Sequence, residues 1–438
     1  MKLLMKSSMI LICLGLLRMP APVLAQAPNS AESNDLIKAL LARVEQLEKR
    51  VAELEGRPAP SPAPAPQAPE AVAPPQPPEA PPSPPEAPPG EPVTAPQVHM
   101  GHPDEQGSAP VSHIAGFSDL NFSTTDRHGA RSGFNEGQFV LHLNSRLSSK
   151  VVFFGELSFS ARTDAGTGLP PATGFNAEVE RAMVRFDQSD YLKVSFGRYH
   201  TPINYWNMTF HHGQWLQTTA SRPEMVQFGG SFLPIHFVGT LVEGVLPASG
   251  LNLNYNLGLG NGRSSVISRA GDWGDINNNR AWLVTLFSRP NRPYGLQFGG
   301  SVYRDKITPI AGREFREWIQ TAHLVWQKEN PELIAEFSNV SHQEVGGPSQ
   351  SNSQAWYVQL GYRLPGLQKL WKPYYRFEYI HIPAGDTLFR AVPSLAGSTI
   401  GVRYDISSFA ALKLEYRNQR RPGEPRVNGA FAQTSFTF

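Results

Sequence analysis

The feature that most constrains this chain is a two-residue alternation of apolar and polar side chains. It runs in blocks of roughly ten residues, the length of a membrane-crossing strand, from His113 to Phe438. Leu251, Leu253, Tyr255, Leu257 and Leu259 share one face, and Asn252, Asn254 and Asn256 share the other. Phe153, Leu157, Phe159 and Ala161 oppose Glu156, Ser158, Ser160 and Arg162, while Leu412, Leu414 and Tyr416 oppose Lys413, Glu415 and Arg417. Side chains on a strand point alternately to opposite faces, so each block reads as a strand with one apolar and one polar face. A soluble sandwich also alternates, with the apolar faces of two sheets hidden together. Here aromatics gather near the strand ends of the apolar face, and the other face is polar throughout. That predicts an all-β, transmembrane antiparallel barrel with lipid outside and a polar lumen.

Turn residues divide the region into sixteen strands, near 113–123, 136–148, 150–163, 176–188, 191–199, 235–246, 250–260, 280–289, 295–305, 314–327, 332–343, 353–364, 372–382, 396–407, 410–420 and 427–438. The sixth, eighth and tenth alternate poorly. Every second connection is short, as at Ser149, Gln188–Asp190 and Ser408–Phe409, whereas 164–175, 200–234, 261–279 and 383–395 are long. Bacterial barrels have short periplasmic turns and longer outer loops. The prolines after residue 110 fall outside strand interiors or at their ends, as a hydrogen-bonded ladder requires. Phe436 and Phe438 end the last strand and resemble the recognition signal of the outer-membrane barrel assembly machinery.

A mean hydropathy of −0.31 excludes a helical membrane protein but not a barrel with a water-filled lumen. A net charge of +2 leaves no footprint for nucleic acid. The single cysteine, Cys13, rules out a disulfide scaffold or a Cys-based metal centre. Residues 1–110 contain no Phe, Tyr or Trp and divide into three segments. Residues 1–25 read as a signal peptide, with Lys2 and Lys6 before the apolar Met9–Leu17 and cleavage after Ala25.

Residues 26–56 carry an a/d heptad seam of Ile37, Leu40, Val44, Leu47, Val51 and Leu54. Arg43 and Arg50 stand at g, Glu48 and Glu55 at e, each Arg suited to a Glu of a neighbouring helix. Arg43–Glu48 and Arg50–Glu55 both resemble a short-coiled-coil trimerisation motif, so a homotrimer is expected. Residues 57–110 are a linker, Pro/Ala/Glu-rich through Gln97, expected as an extended polyproline spacer. The expected setting is the outer membrane, its lipid and lipopolysaccharide around the barrel, with the coiled coil in the periplasm within reach of peptidoglycan.

The stretch Glu180-Arg181-Ala182-Met183-Val184-Arg185-Phe186-Asp187, a tight turn, and Leu192 through Gly197-Arg198-Tyr199-His200-Thr201-Pro202 resembles the porin family typified by phosphate- and pyrophosphate-selective porins. Signal, coiled coil, linker and barrel together also resemble trimeric porins with an N-terminal periplasmic helix. The resemblance implies passive diffusion of small solutes, with the third outer loop folded into the lumen as a constriction. That loop carries His200, Tyr205, Trp206, His211, His212, Trp215, Arg222 and Glu224. Phosphate-selective members use a lysine-rich ladder, whereas this barrel has few lysines, so small carboxylates fit the resemblance equally.

Charge supports an anion preference. After residue 110 the chain holds 31 basic and 25 acidic residues. Alternation turns Arg146, Arg162, Arg181, Arg185, Lys193, Arg363, Arg376, Arg403, Lys413 and Arg417 toward the lumen, opposed by Glu156, Glu178, Glu336, Glu378, Asp405 and Glu415. Guanidinium groups suit phosphate and carboxylate. Adjacent His211 and His212 would point opposite ways on a strand, so no shared metal is expected, nor any cofactor. No Ser/His/acid set falls at matched strand height, which argues against an enzyme. A rival reading is a tether between outer membrane and cell wall, with conduction incidental.

Overall fold

Residues rich in Val, Phe, Tyr and Leu at every second position form long antiparallel strands because one face can be buried in lipid and the other in the barrel. The computed structural model describes residues 110–130, 132–161, 175–227, 232–247, 250–272, 274–275, 277–310 and 313–438. The expected signal peptide, coiled coil and linker, and Arg162, lie outside the described residues.

Sixteen strands close into one antiparallel barrel. They are β1 (Val111–Thr125), β2 (Gly133–Arg146), β3 (Val151–Ala161), β4 (Phe175–Ser189), β5 (Leu192–His200), β6 (His236–Leu246), β7 (Leu253–Asn261), β8 (Ala281–Ser288), β9 (Leu296–Ile310), β10 (Arg313–Trp326), β11 (Glu332–Glu344), β12 (Gln350–Gly361), β13 (Trp371–His381), β14 (Leu395–Ser407), β15 (Ala410–Arg420) and β16 (Val427–Thr437). Each pairs with its sequence neighbours, and β1 pairs with β16 from Phe117↔Thr437 to Thr125↔Gly429, so no edge remains. Phe438 completes the seam: its N–H donates to Gly116 O at 3.1 Å, and Gly116 N–H donates to Phe438 O at 2.9 Å. Its ring stacks on Phe139, centroids 5.8 Å apart.

The outward face is a belt of exposed apolar side chains, including Leu143, Leu157, Val184, Phe196, Leu257, Val284, Leu324, Leu360, Ile400 and Leu414. An apolar surface that encircles a molecule belongs in hydrocarbon rather than water. The inward face is not polar throughout, which corrects the sequence reading. Phe237 and Leu241 of β6, Leu283 and Phe287 of β8, and Phe315, Ile319 and Val325 of β10 point inward and are buried. Phe237, Leu241, Leu283, Ile319 and Val325 are covered by the chain between β5 and β6, whose Ile203, Tyr205, Trp206, Met225, Val226, Phe232 and Leu233 join the same apolar cluster. Strands six, eight and ten therefore alternate poorly because part of the inward face of each is apolar as well.

Two irregularities aim side chains into the lumen. On β2 the register shifts opposite Asp119, and the Asp119 carboxylate accepts from Gln138 N–H at 3.0 Å. A Cβ on Gly137 would lie 1.7 Å from that carboxylate, so only glycine fits there. On β4 the register shifts between Glu156 and Leu157, which pair with Arg181 and Val179. Glu180 is the extra residue of this bulge. Strict alternation separates Glu178 from Arg181; the bulge turns both, with Glu180, inward.

Candidate functional site

The site is built by residues 201–227 and 232–235, which fold inside the barrel. It begins as a short helix, α1 (Tyr205–Phe210), whose N-cap Asn204 accepts from Asn207 N–H at 3.3 Å. The helix start is docked on β11: Tyr205 and Trp206 N–H donate to the Glu336 carboxylate at 2.8 and 3.0 Å. Trp206 is fully buried and meets Tyr357 edge-on, centroids 6.0 Å apart. Thr285 and Thr321 donate to the carbonyls of Pro202 and Ile203.

The second half crosses to the β13–β15 wall, where the wall's charges hold it. Arg376 donates to Ser221 O at 2.8 Å, Ser221 Oγ at 2.7 Å, Arg222 O at 3.1 Å and Thr219 Oγ1 at 3.2 Å. Arg403 donates to the carbonyls of Trp215 and Gln217 at 2.6 and 2.8 Å. Lys413 donates to the carbonyls of Gln214 and Thr219 and to Gln433. Glu415 accepts from Ala220 and Ser221 N–H at 3.0 and 3.3 Å, and Glu378 accepts from Glu224 N–H at 2.6 Å. Three of the ten basic residues assigned to the lumen thus clamp the loop with buried head groups. Burial and the neighbouring Glu378 carboxylate push the Glu224 carboxyl above its ordinary value.

The other basic residues lie elsewhere. Arg181 pairs with Glu156 and stands over the Phe154 ring at 4.2 Å. Arg185 pairs with Asp187 at 2.6 Å and with Glu243 at 3.8 Å, close to half-exposed Lys193, which pairs across from Asp187 and Glu243 in the sheet. Arg146 is exposed at the end of β2. Arg363 is held at the short-turn end by Glu329 and Asp405. Arg417 pairs with Glu415 at 2.5 Å and covers the Phe431 ring at 3.6 Å.

Between the loop and the β15–β16–β1–β5 wall a polar cavity of about 760 Å³ remains. Its lining includes Asp119, Glu136, Glu178 and Glu180 against Arg198, Arg222, Arg269 and Arg417. Acidic and basic groups are balanced at this level, which the whole-barrel charge could not reveal. Arg198 carries the outward number parity of Phe196, but Gly197 at φ +135° breaks the alternation. Arg198 consequently reaches Glu178 at 3.1 Å, Asp272, and the Glu180 carbonyl at 3.2 Å.

At the rim of this cavity four histidines surround Glu180. His236 Nε2 lies 2.7 Å, His212 Nε2 3.3 Å and His211 Nε2 3.8 Å from its carboxylate. His200 lies against His211, ring centroids 3.8 Å apart, with Nε2 3.4 Å from Glu156. His211 and His212 do not diverge, because they leave a helix rather than a strand: His211 has φ −53° and ψ −49°. Successive side chains there turn by roughly a hundred degrees instead of reversing. Burial and neighbouring His212 push the His211 imidazole well below its ordinary value, so it is neutral at pH 7. Sequence reading missed His236. Its signal was the β5–β6 register, in which His200 and His236 are direct partners.

No protein-family profile and no curated protein matches the sequence. The fold is similar to solved outer-membrane porins. An anion-selective porin from Comamonas acidovorans superposes with a TM-score of 0.55 at 13% identity, over 75% of this chain and 100% of that one. The Salmonella typhi OmpF complex with daunomycin gives 0.53 at 12% identity, over 75% and 97%. The outer membrane channel DcaP of Acinetobacter baumannii gives 0.51 at 12% identity, over 75% and 98%. These likenesses establish the barrel as porin-like.

Proposed function

We propose that this chain is an outer-membrane porin, a passive diffusion channel for small hydrophilic solutes with a preference for anions such as phosphate or small carboxylates. One observation carries the reading. A long loop is fastened inside a lipid-belted barrel by buried side chains from opposite walls, and a polar passage is left beside it. A fixed constriction sets a size limit without a moving gate, which is what passive sieving needs.

The anion preference is supported by the excess of 31 basic over 25 acidic residues beyond residue 110 and by Arg146, Arg185 and Lys193 on the short-turn side of the constriction. A similar fold in a porin named as anion-selective agrees with it. The passage itself is charge-balanced, so the preference arises from the mouth, where excess positive charge raises local anion concentration. Membership of the phosphate-selective family rests on the Arg181–Pro202 motif. The homotrimer and periplasmic anchoring rest on the heptad seam of residues 26–56 and the 57–110 linker.

Planar-bilayer recordings in a KCl gradient test the reading. The reversal potential is expected to favour chloride. A cation-favouring potential removes the anion preference, and the absence of conductance removes the porin.

A further inference from the structure

The cluster around Glu180 has a donor arrangement that loop packing alone does not require. Nitrogens of His200, His211 and His212 and a carboxylate oxygen of Glu180 all lie within 4.8 Å of one another. The four come from three separate stretches: the β4 bulge, the end of β5 and the exit of α1. All four side chains are at most 7% exposed.

Hydrogen bonds around the cluster set which ring nitrogen of His211, His212 and His236 faces Glu180. The Asn207 side-chain amide donates to the carbonyls of Thr201 and Ile235 at 2.7 and 3.1 Å, so its oxygen is the atom facing His211. His211 Nδ1–H therefore donates to Asn207 Oδ1 at 2.9 Å, and Nε2 turns its lone pair toward Glu180. His212 repeats the pattern, with Nδ1 3.2 Å from Gln138 Oε1 and Nε2 on the Glu180 side. His236 has the opposite tautomer. Arg198 donates to its Nδ1 at 3.1 Å, so Nε2 carries the proton and points at Glu180. Ser158 Oγ–H donates to the same carboxylate at 2.6 Å.

The geometry points to a binding site for a divalent transition-metal ion of the zinc class, ligated by Glu180, His200, His211 and His212. Three imidazoles and one carboxylate form a four-donor set suited to zinc and, with less regular geometry, to copper or nickel. Asn207 and Gln138 hold the ligand rings by their other nitrogen, while Ser158 and His236 hold the carboxylate, the outer shell such sites require. Glu180 and His211 border the polar passage, which supplies the route of entry. The ion would bridge the constriction loop to the barrel wall. This role is independent of the diffusion reading, because binding is measured without conduction.

The test uses the untagged full chain purified in detergent. Titration with Co²⁺, followed by its visible absorption, is expected to give one ion per chain in a tetrahedral-type spectrum that Zn²⁺ abolishes. His200→Gln and His212→Gln should each weaken binding about tenfold or more. His99→Ala/His102→Ala, in the linker, should leave it unchanged. Crystals of the wild-type protein soaked in Zn²⁺ give an arm free of variants: an anomalous peak is expected between Glu180, His200, His211 and His212. No peak there, no Co²⁺ binding by the wild type, or wild-type affinity in both glutamine variants overturns the site.

Discussion

Arg376 shows how much one wall residue can control. It gives four hydrogen bonds to the loop and is almost fully buried. Arg376→Met would remove one of the two donors on each of the Ser221 and Arg222 carbonyls, which keep Thr219 Oγ1 and Gln227 Nε2, at roughly 0.5–1.5 kcal/mol for each hydrogen bond lost. Single-channel recordings should then show a larger and noisier conductance, with a lower unfolding temperature. Unchanged current noise would mean that the loop is held by other contacts. Glu224 acts in the opposite sense. Because its carboxyl is raised on folding, its favourable contribution is present in acid and is lost as pH rises through the raised value. Glu224→Gln should therefore stabilise the protein at neutral pH and flatten that pH dependence, as measured by thermal melts at a series of pH values from acid to neutral. Gly137→Ala should destabilise the barrel by about 1–3 kcal/mol, since the Asp119 carboxylate occupies the space of the new methyl.

At the scale of elements, the strands were legible and the loop was not. Period-two alternation at positions such as Leu253–Leu259 and Leu412–Tyr416 is local, so it survives in the sequence, and the strand number and order follow from it. The inward apolar residues of β6, β8 and β10 have no local explanation; they answer to Trp206 and Phe232, which lie far away along the chain or in another layer. For the same reason parity turned Arg376, Arg403 and Lys413 inward but could not tell an open lumen from a loop carbonyl. The histidine cluster was hidden by a helix where a strand was assumed, and by the bulge that turns Glu180. Replacing residues 204–233 with a short Gly/Ser linker should raise single-channel conductance several-fold while the barrel still forms. It should also lower thermal stability, because Phe237, Leu283 and Ile319 would face water. A deletion that leaves conductance unchanged would show that the loop does not set the constriction.

For the whole molecule, the proposed homotrimer and the proposed pore assign separate tasks to residues 26–97 and to the barrel. On that proposal, deleting residues 26–97 should give smaller species than the full chain on native gels or by light scattering, with the conductance of each barrel preserved. Loss of conductance on that deletion would tie the pore to the N-terminal segment. The seam between β1 and β16 has a further consequence, in the order of events. Its partners are separated by more than three hundred positions, as with Phe117 and Thr437, and the final hydrogen bonds run between Gly116 and Phe438. Contacts so distant along a chain are slow to form. Until the last strand arrives, β1 offers an unpaired edge that invites aggregation. Closure therefore waits for the last strand, and until β16 pairs with β1 the sheet keeps two open edges.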